Sequence, residues 1–271
     1  MTLREPPNAD GAYEVIAVRY GQRETTKSES LYRYQAYREP DESFTMAYYF
    51  WLVRRGGETL VVDSGFKPAA GERRGRPCSV SPADALARLG VDPLTVSQVF
   101  VSHMHYDHIG NLDLFPNATL LVDAQEIDFW TSEMGRRGQF ALSAEQPEIE
   151  YIARARREGR VQSLGDDQDL MPGVRSLRVG GHTPGQQILL VHTASGQVVL
   201  ASDALHFYEE LEGDRPFAVF TDLPAMYRTY DVLREISQEP STSIIAGHDA
   251  AVSRDHPAVA GPGGEIAVLL G

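Results

Sequence analysis

Three histidines and an aspartate crowd into His103-Met104-His105-Tyr106-Asp107-His108. Imidazole nitrogens and carboxylate oxygens are ligands for divalent cations, and four of them at this spacing point to a metal site. A lone histidine would instead favour a merely polar strand end. The apolar run Val99-Phe100-Val101 just before them reads as a buried strand. In extended chain, side chains at i, i+2 and i+4 share a face. His103, His105 and Asp107 are therefore expected to point one way as the strand frays, with His108 following where Gly110-Asn111 turns the chain. Two imidazoles and a carboxylate, then a third imidazole, can serve two metal ions at once.

The elements that must carry this stretch come in two runs. Tyr13 to Tyr20 alternates apolar and polar, as a strand does. Met46 to Arg54 and Glu58 to Val62 form a hairpin around Arg55-Gly56-Gly57 that delivers Asp63-Ser64-Gly65 at its end. Ser81-Pro82-Ala83-Asp84 opens a helix that stops at Gly90. Thr119 to Val122 reads as a strand and Ala124 to Trp130 as a helix. Residues 131 to 160 separate the halves, with a helical Ile149-Ile152-Ala153-Arg156 pattern, and are placed to cap the site. Strands follow at Val161 to Leu164, Val174 to Val179, Gln187 to His192 and Gln197 to Ala201, then a helix at Leu223 to Ile236 and a strand at Ser243 to Ala246. Strands first and then helix, in each half, is the order of an α+β sandwich rather than a doubly wound sheet. No Ser/Gly/Pro linker divides the chain, so one domain is expected across residues 1–271. Residues 21 to 45 are polar without a clear period and read as a long excursion. Residues 67 to 80 carry Arg73, Arg74 and Arg76 and read as a solvated loop, with an anion site as the alternative.

A hydrophobic content of 42% over 271 residues is ample for a core. The net charge of −13 argues against a nucleic-acid partner, which needs a basic footprint. One cysteine, Cys78, excludes an intrachain disulfide. Met1 to Pro7 lacks the apolar core of a signal peptide, and no stretch is apolar enough to span a membrane. A soluble, cytoplasmic protein is the expectation.

The stretch 103–108 has the His-x-His-x-Asp-His form, and on it the chain resembles the metallo-β-lactamase superfamily. The resemblance implies an αβ/βα four-layer sandwich and three further ligands downstream. Gly180-Gly181-His182, Ala201-Ser202-Asp203 and Gly247-His248-Asp249 each place a ligand type just past an apolar strand, in the family's order. Carried over, His103, His105 and His182 hold one metal, Asp107, His108 and His248 the other, and Asp203 bridges them. The family's counterpart of Asp63 lies beneath the site and orients ligands. A donor set of imidazole and carboxylate suits zinc first, with iron, manganese or cobalt as alternatives. Such a bridged pair can share a hydroxide that attacks a carbonyl.

Departures among the branches narrow the expected activity. The antibiotic-destroying lactamases use a Cys at a metal position and lack a bridging Asp. The flavo-di-iron branch has Glu where His105 stands. Glyoxalase II-like thioesterases carry a C-terminal helical domain, and residues 249 to 271 are too few for it. The chain is similar to the N-acyl-homoserine lactonase branch, whose members place a Tyr three residues after the bridging Asp; here His206 stands there, and Tyr208 is out of register. The expected function is opening of a small cyclic ester, with a lactam, cyclic carbamate, amide or aryl ester as the alternative substrate. Asp107 and His206 are the catalytic candidates, and Phe66, Tyr106 and His206 are candidates to line the substrate pocket. The partner is a small-molecule carbonyl compound, and a homodimer is expected for this branch. His192 is read as structural and His256 as solvent-facing.

Overall fold

A computed structural model describes residues 12–271 of the chain; Met1 to Pro7, expected to carry no leader, lie outside the described residues. The first run of strands is β1 (Glu14–Thr26), β2 (Ser43–Arg55), β3 (Glu58–Val62), β4 (Gln98–Val101), β5 (Thr119–Asp123) and β6 (Val161–Leu164). The second is β7 (Asp167–Met171), β8 (Val174–Arg178), β9 (Gln187–Thr193), β10 (Gly196–Ser202) and β11 (Thr242–Ala246), and β12 (Ala267–Leu269) closes the chain. They make two sheets, ordered β12-β1-β2-β3-β4-β5-β6 and β11-β10-β9-β8-β7. Pairing of Arg55 with Glu58 leaves Gly56-Gly57 as a two-residue turn, and both take positive φ, +56° and +89°, as that turn demands.

The period-2 pattern of the strands decides the layers. In β1, Val15 and Ala17 face the interior between the sheets, where they meet Leu189, Val191, Val198 and Leu200 of the second sheet. Ile16 and Val18 point the other way, against the helices Pro82–Arg88, Ala124–Thr131 and Gln146–Arg157. The outer face of the smaller sheet packs Ile188, Leu190 and Val199 under Leu233 of the helix Leu223–Ser237. Helices outside, two sheets inside: this is the expected αβ/βα sandwich. Both faces of β2 are covered, so its core reads as a continuous apolar run, Ala47 to Val53, rather than as an alternation. The Ser81 hydroxyl accepts from the Asp84 N–H at the start of the Pro82–Arg88 helix, as its sequence implies.

Strand direction places the functional edge. β3, β4 and β5 run parallel, as do β10 and β11. β8 and β10 each lie antiparallel to β9, so β8 runs with β10. Asp63, residues 103–108, His182, Asp203 and His248 all follow carboxyl ends of these strands.

Four sequence expectations are corrected. Residues 21–26 and 43–45 are not loop: they extend β1 and β2 into a long hairpin, with Thr26 opposite Ser43. Polar residues dominate there, Gln22, Glu24 and Ser43 being exposed, which hides a strand from composition. β7 and β12 went unread because Asp167–Met171 is polar and Ala267–Leu269 is short. Residues 67–80 are partly helical, over Pro68–Arg73. Finally, β4 stops at Val101, before the first histidine, and Asp107 and His108 lie on a single helical turn, Tyr106–Ile109. Gly110 is required there for close approach rather than for turning, since a Cβ would sit 2.6 Å from the Gly65 carbonyl oxygen.

Candidate metal centre

The carboxylate of Asp203 lies at the middle of the site. Its Oδ1 is 3.2 Å from His108 Nε2 and 3.1 Å from His248 Nε2. Its Oδ2 is 3.3 Å from His182 Nε2, 3.7 Å from His103 Nε2 and 3.1 Å from His206 Nε2. Two groups of donor atoms result, His103, His105, His182 and Asp203 in one and Asp107, His108 and His248 in the other, each with all its atoms within 4.8 Å. All seven side chains are buried.

The backbone and its neighbours decide which nitrogen each ring presents. His248 Nδ1 lies 2.7 Å from the Ala47 carbonyl and His182 Nδ1 lies 2.9 Å from that of Val219. A carbonyl only accepts, so both rings carry their proton on Nδ1 and turn the Nε2 lone pair inward. His108 Nδ1 lies 2.7 Å from the Asp63 carboxylate, with the same consequence. Ser102 Oγ stands 3.1 Å from His103 Nδ1 and donates its own proton to Asp63. His105 faces His182 Nε2 through Nδ1, at 2.9 Å.

Asp63 is the floor of the site. It also accepts from the Ser102 N–H at 2.8 Å, and the Ser202 hydroxyl lies 3.3 Å from it. Asp63 and Ser202 both hold left-handed backbone, φ +60° and +47°, which non-glycine residues adopt at a cost of order 1–3 kcal/mol each. The two strained residues meet under the histidines, where Ser202 Oγ is 3.3 Å from Asp63 Oδ2 and 2.9 Å from Ser102 Oγ.

Electrostatics follow the crowding. Burial depresses the imidazoles of His103, His105 and His182, His105 to about 4. The neutral ring is the form a cation binds. Burial also opposes charge on His108, but Asp203 and Asp63 outweigh it and hold that ring well above its ordinary value. For Asp203 burial favours the neutral acid, yet His248 and His108 hold its carboxyl well below the usual range.

His103 Nε2, His108 Nε2, His248 Nε2 and Asp203 Oδ1 are buried with no hydrogen-bond partner among the described residues. Buried polar atoms left unpaired cost free energy, and here they face one another around one carboxylate. Cations coordinated by these nitrogens and oxygens would satisfy all of them, and the all-N/O donor set fits zinc or another borderline divalent ion.

Sequence reasoning missed the residues that tie the loops together. Glu126 accepts from the Met104 N–H at 2.8 Å, the Gly185 N–H at 2.8 Å and Trp130 Nε1 at 2.7 Å, which joins the His103 loop to the His182 loop. Nothing distinguishes it in the chain from an ordinary helical glutamate. Glu210 accepts from the backbone N–H groups of His206 and Phe207 and from the Tyr230 hydroxyl.

The three pocket candidates are all buried. Phe66 is fully buried, ringed by Tyr20, Tyr48 and Tyr106, and belongs to the core. Tyr106 is buried against it, its backbone N–H held by the Ser143 carbonyl, so residues 131–160 buttress the ligand turn from outside. His206 is also fully buried, stacked on Phe217 at 3.7 Å. It returns to Asp203 through a tight turn, not a helix, since the next helix begins at Tyr208. His192 lies in β9, and His256 is half-buried with Nδ1 on the Val252 carbonyl.

Residues 46–248 match the metallo-beta-lactamase superfamily, and the chain belongs to it. Among curated relatives, an N-acyl homoserine lactonase of a Bacillus species is 30% identical over 170 residues, covering 62% of each chain. The N-acyl homoserine lactonase AttM of Rhizobium radiobacter is 24% identical over 217 residues, 74% of this chain and 81% of its own. The chain thus spans 62% of the length of the first of these relatives. Among solved structures, a quorum-quenching N-acyl homoserine lactone lactonase superposes with a TM-score of 0.72 at 21% identity, over 90% of this chain and 95% of that one. The dizinc quorum-quenching lactonase AidC superposes at 0.69 with 18% identity, over 87% of both. Both structures share the fold. Among the described residues no helix is long and apolar enough to cross a membrane.

Proposed function

We propose that this protein is a metal-dependent hydrolase that opens a small cyclic ester, a lactone of the kind named for its relatives. The observation that carries this is the set of inward-facing, unpartnered nitrogens around Asp203. His103, His105 and His182 would hold one cation, Asp107, His108 and His248 a second, and Asp203 would touch both. When bound, such a pair supplies Lewis acidity to a carbonyl oxygen and a water acidic enough to attack near neutral pH. The chain's own residues do the rest. Asp63, Ala47 and Val219 fix the protons of three imidazoles on Nδ1, so their Nε2 atoms need no rearrangement. Burial of all seven donors keeps bulk water from competing for them. His206 lies with Nε2 3.1 Å from Asp203 Oδ2 and Nδ1 3.4 Å from the Glu210 carboxylate, and these two carboxylates favour its charged form against burial. We assign it hydrogen-bond donation toward the ring carbonyl or the leaving oxygen. One domain across residues 1–271 carries the reaction.

Turnover of a lactone by the metal-loaded protein in heavy-oxygen water tests this. One labelled oxygen in the product carboxylate is expected, with no covalent enzyme adduct. A trapped acyl-enzyme, or product without label, would overturn it.

A further inference from the structure

Arg76 is half-buried and turned onto an aromatic ring. Its guanidinium donates to the Tyr106 hydroxyl and lies 5.4 Å from the centre of that ring. Arg74 covers the same ring at 4.0 Å, but Glu145 and the carbonyls of Leu142 and Ala144 occupy its donors. Arg76 has no such partners: among the described residues its only hydrogen bond is to the neutral phenol, and no carboxylate pairs with it. A guanidinium carries five N–H donors in a rigid fork, and a single hydrogen bond leaves most of them free for a ligand. Burial opposes the charge on Arg76, but the Tyr106 and Tyr48 phenols and the Asp107 carboxylate outweigh it and hold the guanidinium charged.

Arg23 repeats the situation on β1. Among the described residues its Nε is buried without a partner, and its only ion pair is a 3.5 Å approach to the exposed Glu29. The main chain brings the two arginines together, because the Ser79 N–H donates to the Tyr20 carbonyl at 2.8 Å and Gly21 bridges to Cys78. Both guanidiniums act on the Tyr48 phenol. The Tyr48 ring stands edge-on to His248 at 5.2 Å, and Tyr106 immediately precedes Asp107. Two under-used guanidiniums therefore flank the Asp107–His248 side of the centre.

We propose that Arg76, with Arg23 beside it, binds an anionic oxygen group on the substrate, so that the preferred lactone carries a second, charged carboxylate or phosphate. This rests on the lactone reading above and narrows it. The planar fork matches either oxyanion, bidentately for a carboxylate. Elsewhere the chain's net charge of −13 disfavours anions, so selection for one must be local.

The test compares four lactones on the metal-loaded protein: a γ-butyrolactone bearing a carboxylate, the same ring bearing a phosphate, its neutral carboxamide, and N-hexanoyl homoserine lactone. An acidic ring should exceed the carboxamide in kcat/KM by roughly 10- to 100-fold, and whichever acid wins names the group. That ratio should collapse in Arg76→Met, survive in part in Arg76→Lys, and shrink in wild type as salt rises. Equal rates for acid and amide, or a ratio that ignores both Arg76→Met and salt, would overturn the proposal. If no lactone is opened, the hydrolase reading fails instead. Calorimetric binding of the ring-opened acid and amide to wild type and Arg76→Met then decides the anion site by itself: a wild-type preference lost in the variant supports it, and no preference sinks it.

Discussion

Five imidazole nitrogens lie within 3.7 Å of the two oxygens of Asp203. Four belong to the residues proposed as metal ligands. The fifth is His206, and its neighbours set it apart. Its ring is stacked on Phe217 and held between Asp203 and the Glu210 carboxylate, 3.4 Å from Nδ1. Phenylalanine would keep the stack and remove both nitrogens. His206→Phe should therefore retain two metals yet lose turnover by on the order of 10²–10³, the usual loss for one donor to a developing oxyanion. Wild-type rates at full metal content would show that the ring only packs. At this scale the sequence discloses side chains whose chemistry is in their type: His103, His105, Asp107, His108. It does not disclose Ser102, Ser202 or Glu126. Their roles exist only once distant loops meet, and a serine or a helical glutamate carries no mark of that meeting.

Elements show the same division. β2, β3, β4, β9, β10 and β11 were legible because buried strands must be apolar. The outer half of β1 and all of β7 were not, because solvated strands resemble loops in composition. The short helical turn at Tyr106 was hidden for another reason: two ligands i and i+1 apart fit a strand end or a turn equally well. The helix Gln146–Arg157, legible from its period, follows the segment whose Ser143 carbonyl holds the Tyr106 N–H, and it buries Glu148. Burial, with Glu145 adding to it, pushes the Glu148 carboxyl from its ordinary 4.5 up to about 8. The folded protein then binds a proton that the unfolded chain releases between those values. Stability from this group is present below about pH 4.5 and is lost as pH rises through about 8. The thermal midpoint should fall over that window in wild type and fall less in Glu148→Gln. Parallel profiles for the two proteins would place the pH dependence elsewhere.

For the molecule as a whole, two sheets packed face to face bring the carboxyl ends of β3, β4, β8, β10 and β11 to one edge. β3 and β4 belong to one sheet and β8, β10 and β11 to the other, so the site cannot form before the sandwich does. A native state with this many unpaired buried donors should be stabilised strongly by whatever binds them, since a ligand that binds only the folded chain adds its binding free energy to stability. The direct measurement is elemental analysis of protein reconstituted without chelator, on wild type and Asp203→Ala in parallel. About two divalent ions per wild-type chain are expected, as for a bridged pair, with fewer in the variant. Wild-type protein that stays near zero after reconstitution, or Asp203→Ala that binds as many ions as wild type and turns over as fast, would contradict the proposed centre.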